Sequence, residues 1–169
     1  PENDRVVVNY NPKGVSKYIT NPTHKDTLLA AMATWTGVPN SGFTYLAGDN
    51  TTRCPSLVQE CRGPQFFDNN NDIGWIDIKE PSVLGVTWFS TSRDEFDMAL
   101  DNKNFKWYVG AEGVPSGYYD TQTVWLHELG HGLGLGHSSV NGAVMEPYYE
   151  GARRALHQDD IDGLTSLYP

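Results

Sequence analysis

Residues 127–137 read His-Glu-Leu-Gly-His-Gly-Leu-Gly-Leu-Gly-His, and no other stretch of the 169-residue chain restricts its fold as much. His127 and His131 are four apart, so a helix stacks them one turn apart on one face. Both can then aim a ring nitrogen at one metal ion. Glu128, beside the first histidine, can reach water on that ion without ligating it. Gly134 and Gly136 let the chain leave the helix and turn sharply, which returns His137 to the same centre. Three of the chain's five histidines fall within this motif. Burying three imidazoles together without a metal is costly for polar groups that lack partners. Three neutral nitrogen ligands leave the fourth tetrahedral position open, as in a catalytic rather than a structural zinc site.

A short distance downstream stands Ala143-Val144-Met145-Glu146-Pro147-Tyr148-Tyr149. Together with the histidine motif it resembles the methionine-containing turn of the metzincin clan of zinc endopeptidases. Within that clan the chain is most similar to the matrixin family. Ser138 follows the third histidine, as in matrixins, where serralysins have proline and astacins glutamate. The run from Arg154 to Tyr168 also resembles the C-terminal helix of matrixin catalytic domains. The resemblance is strong from Tyr119 to Pro169 and weaker upstream.

The resemblance implies an α+β, zincin-like single domain over residues 1–169. It would have a twisted, mostly parallel five-stranded sheet, an active-site helix, a backing helix and a C-terminal helix. It implies a secreted zinc endopeptidase that cleaves extended peptide segments, with Glu128 as general base and one catalytic Zn2+ on His127, His131 and His137. Met145 would form an apolar floor beneath the histidines; on its own it reads as core. Pro147 and Tyr149 match the Pro-x-Tyr segment that walls the pocket for the residue after the cut, and that residue is expected to be apolar. Pro147 also stands where some metzincins have a zinc-reaching tyrosine, so no such ligand is expected. Gly85, Val86 and Thr87 lie in the run that matches the substrate-binding sheet edge. An exposed edge offers unpaired N–H and C=O groups to an extended peptide, although an ordinary edge strand reads the same way.

Local patterns agree with these elements. Arg5 to Tyr10 reads as a strand on its three valines. Leu28, Leu29, Met32 and Trp35 mark a helix face that Gly37 and Pro39 end, with Thr23 and Asp26 as a weak capping box. Phe43 to Ala47, Gly74 to Ile78, Leu84 to Phe89 and Phe96 to Leu100 read as further strands, and 102–117 reads as loop. Asp120 or Thr121 is placed to cap the active-site helix. Ile161, Leu164 and Leu167 form the stripe of a last helix starting near His157, with Asp159 and Asp160 at the positive end of its dipole.

The length suits one domain, and five Trp, nine Tyr and six Phe can fill its core. No apolar run approaches the ~18 residues of a membrane span. A formal net charge of −9 disfavours duplex nucleic acid as a partner, because backbone binding needs clustered Lys and Arg. Nothing in the chain demands more than a monomer. Its start at Pro1, close to the first strand, reads as a trimmed mature form.

Three features depart from the commonest matrixin pattern or leave two readings open. Cys54 and Cys61 fit a disulfide in a secreted protein. The rival is a thiolate that blocks the zinc, as a matrixin propeptide cysteine does, but these cysteines lie inside the catalytic domain. Asp68, Asn70 and Asp72 belong to a turn rich in oxygen ligands. It reads either as a solvated loop or as a Ca2+ site. The second, structural zinc of vertebrate-type matrixins needs upstream histidines, and the only one is His24, so none is expected. Two functional alternatives stand beside the endopeptidase. One is a catalytically silent zinc-containing peptide-binding module, disfavoured by the presence of Glu128. The other is an exopeptidase, which needs a charged pocket for a chain terminus; no Arg or Lys lies between Lys106 and Arg153.

Overall fold

The structure is a computed structural model that describes residues 4–55, 67–92, 94–111 and 113–169. Five strands form the main sheet: β1 (Asp4–Tyr10), β2 (Phe43–Asn50), β3 (Asn71–Ile76), β4 (Gly85–Phe89) and β5 (Phe96–Asp101), in the order β2-β1-β3-β5-β4. All neighbouring pairs are parallel except β4 with β5, which is antiparallel and leaves β4 on the edge. Helix α1 (His24–Thr36) and the active-site helix α2 (Thr121–Gly132) pack together, and α3 (Gln158–Leu167) closes the chain. This is the expected α+β architecture with its mostly parallel sheet. Among the described residues no helix is long and apolar enough to cross a membrane.

The core explains where α2 sits. Val8, Tyr10, Ile73, Trp75 and Met98 turn inward from the sheet, and Leu28, Met32 and Trp35 meet them from α1. Val124, Leu126 and Leu129 of α2 fill the space between, as their spacing predicts. Trp75 packs edge-on against both Trp107 and Trp125, with ring centroids 5.4 and 5.7 Å away. Two polar tips fix the helix as well as its apolar face. Trp35 Nε1 donates to the Leu126 carbonyl at 2.9 Å, and the Tyr45 hydroxyl donates to the Leu129 carbonyl at 2.7 Å. Each hydrogen bond sets the height of α2 along its axis, which apolar packing alone defines loosely.

Several boundaries differ from the sequence reading, each for a local reason. Thr23 does not cap α1 with its side chain, because its hydroxyl donates to Asn21 Oδ1 at 2.6 Å instead. β3 begins at Asn71, ahead of the apolar run, because the Asn71 amide stitches neighbouring strands: it donates to the Val7 carbonyl and accepts from the Phe96 N–H. Trp107 falls in the stretch read as loop but is part of a strand. It lies in β6 (Trp107–Tyr108), which pairs with β7 (Tyr119–Asp120), and two-residue strands carry no readable periodicity. In α3 Leu164 is buried, but Leu167 is 49% exposed, so the apolar stripe ends a turn early.

A buried carboxyl pair lies where β3 meets β5. Asp97 Oδ1 accepts from the Asp72 N–H at 3.0 Å, while Asp97 Oδ2 and Glu95 Oε1 are buried without a partner among the described residues. Burial pushes the Asp97 carboxyl up to about 7 against the Asp72 N–H bond, and the charges of Asp72, Glu95 and Asp68 push it further. Arg53 pairs with Asp72. A carboxyl with a raised folded-state pKa stabilises the fold while protonated. That contribution is complete below its ordinary value of ~4 and is lost as pH rises through ~7. Asp97→Asn keeps the acceptor for Asp72 and removes the titration. Its thermal midpoint is expected to match the wild type's near pH ~4 and exceed it by a few degrees near pH ~8, read by calorimetry. Parallel profiles would show that Asp97 stays ionised throughout.

Candidate active site

Helix α2 starts on Asp120, whose carboxylate accepts from the Thr123 N–H at 3.0 Å and the Thr123 hydroxyl at 2.6 Å. Arg154 grips the same buried carboxylate, with Nη2 to Oδ1 at 2.5 Å and Nε to Oδ2 at 3.0 Å. This end is therefore capped and charge-balanced. At the other end Gly134, at φ +98°, takes the left-handed conformation that ends the helix and turns the chain. Gly136 has no positive φ, so one glycine and not two makes the reversal.

The reversal brings the three histidines together. Their ligating nitrogens all lie within 4.8 Å of one another. His127 Nδ1 bonds the Val144 carbonyl and His131 Nδ1 bonds the Leu135 carbonyl, both at 2.8 Å. A carbonyl accepts only, so Nδ1 carries the proton in each ring and Nε2 keeps its lone pair. His131 Nε2 and His137 Nε2 stand 3.2 Å apart, close to the ~3.3 Å separating two nitrogens on a tetrahedral zinc with ~2.0–2.1 Å bonds. Burial holds His127 down at about 4 and also lowers His131, which keeps both rings neutral near pH 7, as ligands must be. Three imidazoles with converging nitrogens, two of them with Nε2 left unprotonated, fit a zinc ion.

Met145 is 2% exposed, and a Cβ on Gly130 would collide with its sulfur. The methionine turn is tied to the histidine loop by the Ser138 N–H, which donates to the Met145 carbonyl at 2.8 Å. It is tied to α3 by Asp160, whose carboxylate accepts from the N–H groups of Val144 (2.8 Å), Met145 (3.1 Å) and His157 (2.8 Å). In the sequence Asp160 reads only as a dipole-compensating residue. Its second role depends on a contact 15 residues back in the chain, which no local pattern reveals.

Glu128 is 5% exposed, and burial pushes its carboxyl up to about 7 against a lowering hydrogen bond from Thr87. Glu128 and the histidines share a cavity of about 710 Å³ with Gly85, Val86 and Thr87 of β4 on one wall. Pro147 stands exposed at the rim. Tyr149 is half-buried, its hydroxyl accepting from the Asp120 N–H at 3.0 Å. Phe105, Tyr119 and Val124 line the same cavity, and Phe105 was not singled out in the sequence because it sits in a stretch read as loop. Arg153 also lines the cavity, across a gap in sequence that had suggested no cation there. It is paired with Glu146 and, at 3.1 Å, with Glu150.

The remaining residues of interest lie elsewhere. Asp68, Asn70 and Asp72 do come together, but around Arg53. The guanidinium bonds Asp72 at 2.6 and 2.9 Å and approaches Asp68 at 3.6 Å, and the Asn70 amide donates to Asp68. This is an ion-paired turn whose cation is an arginine. Cys61 lies outside the described residues, as does Phe66 of the same turn; no free cysteine occurs among the described ones. His24 Nδ1 shares a 2.7 Å hydrogen bond with the Tyr10 hydroxyl, and His157 caps α3 with its ring.

Comparison with known proteins agrees with this geometry. The family model described as Matrixin matches residues 7–169. Metalloendoproteinase 1 of Glycine max is 30% identical over 152 residues, covering 86% of this chain and 46% of the plant protein. Karilysin of Tannerella forsythia is 42% identical over 62 residues, 37% of this chain and 12% of karilysin. Human neutrophil collagenase is 48% identical over 56 residues, 31% of this chain and 12% of the collagenase. The chain thus spans less than half the length of these relatives. With a family match along almost its whole length and the three-histidine centre in place, the chain belongs to the matrixin family.

Proposed function

We propose that residues 1–169 form a single catalytic domain of a secreted zinc endopeptidase, hydrolysing internal bonds of extended peptides. The observation that carries this reading is the shared cavity. Three histidines with converging nitrogens and a buried carboxyl line it together with β4, an edge of the sheet among the described residues. His127, His131 and His137 would hold one zinc ion, which supplies Lewis acidity and acidifies water when bound. The β4 backbone at Gly85, Val86 and Thr87 would pair with the substrate as an added strand. Glu128 would take the proton of the attacking water on its carboxylate, then pass it to the departing amine. A carboxyl held near 7 suits both halves of that transfer. Met145 would keep the floor apolar, and Phe105, Tyr119, Val124 and Tyr149 favour an apolar side chain after the cut.

Calcium has no part in the proposed mechanism. Secretion is proposed on the family and on a Cys54–Cys61 bridge, which persists only in an oxidising compartment. A monomer that binds no nucleic acid is consistent with the net charge of −9. An exopeptidase is disfavoured because Arg153, the arginine lining the cavity among the described residues, is neutralised by Glu146 and Glu150. The test is digestion of a diverse peptide mixture at neutral pH, read by mass spectrometry. Internal cuts before apolar residues, abolished by a chelator, are expected. Trimming from the ends alone would favour the exopeptidase, and tight peptide binding without cleavage would favour the silent binding module.

A further inference from the structure

Successive side chains on a strand face opposite ways, so Gly85 and Thr87 share one face of β4. That face meets Glu128. Thr87 Oγ1 donates to Glu128 Oε2 at 2.8 Å and also reaches the Glu128 main-chain carbonyl at 3.2 Å. At Gly85, an added Cβ would stand 2.8 Å from Glu128 Oε1 and 2.8 Å from Leu100 Cδ2. Both carboxylate oxygens therefore touch the edge strand. One is bonded to a hydroxyl, and the other lies against a residue with no side chain. A glutamate has three side-chain torsions, and a base that must receive a proton in one direction gains from having them fixed beforehand.

We propose that Thr87 is a positioning residue for Glu128. Its hydroxyl, with the bare backbone of Gly85, locks the carboxylate in a single orientation inside the cavity it shares with the histidines. The substrate then uses the backbone of β4, while the Thr87 side chain serves the base. The inference rests on Glu128 acting as proton acceptor.

The test compares zinc-loaded wild type, Thr87→Val, Thr87→Ser and Glu128→Gln. Valine matches threonine in shape and lacks the donor; serine keeps it. Thr87→Val is expected to lower kcat by roughly tenfold with KM changed less than about twofold, the value of one hydrogen bond to a charged group. Thr87→Ser should recover most of the loss. In thermal unfolding, the effects of Thr87→Val and a further variant, Glu128→Ala, should be non-additive, because each removes one end of the same bond. A wild-type kcat in Thr87→Val, an equal loss in Thr87→Ser, or strictly additive thermal shifts would overturn the positioning role. A fully active Glu128→Gln enzyme would instead remove the proton acceptor, and the proposal with it. An inactive Glu128→Gln beside an unimpaired Thr87→Val overturns positioning alone.

Discussion

Glu128→Gln should retain its zinc and lose turnover by roughly 10²–10⁴-fold, the range that a general base contributes. Glutamine keeps the shape that fits between β4 and α2 and can still accept the Thr87 hydroxyl bond, but it cannot take a proton. His127 and His131 are held from behind by the Val144 and Leu135 carbonyls, without a bond to Glu128. Metal content, measured by elemental analysis, is therefore expected to equal that of the wild type. Activity within tenfold of wild type would place the base elsewhere.

Asp160→Ala should act through stability and metal affinity. The side chain is 2% exposed and accepts three backbone N–H bonds, two of them from the methionine turn. Removing the carboxylate leaves buried donors unpaired, each costing ~1–3 kcal/mol, so a loss of about 3–5 kcal/mol is expected. For a chain of this size that lowers the thermal midpoint by roughly 10 °C or more. The Val144 carbonyl holds His127, and Val144 loses its own anchor, so zinc affinity should weaken by about 10–100-fold. Calorimetry and a competitive zinc titration read the two effects. An unchanged zinc affinity would mean that the turn holds its shape without α3.

Features encoded by near neighbours were legible in the sequence. The spacing of His127 and His131 and the Val124, Leu126 and Leu129 face follow from helix periodicity, and of the two candidate caps, Asp120 and Thr121, Asp120 is the one used. Features made by distant parts of the chain were not. Asp160 under the methionine turn, Arg153 in the cavity and Arg53 on Asp72 depend on contacts between elements, which composition and spacing do not encode. Thr87 is intermediate. Its strand was recognised as the edge facing the site, but the direction of its hydroxyl depends on how closely β4 lies against α2. The short pair β6 and β7 escaped because two residues are too few to show alternation.

The proposed hydrolysis needs one zinc on three histidines. The most direct test is to strip the metal, add zinc stepwise, and read bound zinc and cleavage of an internally quenched peptide in the same samples. Activity should rise in proportion to zinc and level off at about one ion per chain, the stoichiometry of a single three-histidine site with one open position. Cleavage by the stripped protein, or a zinc-filled chain that cuts nothing across a diverse peptide set, would contradict it.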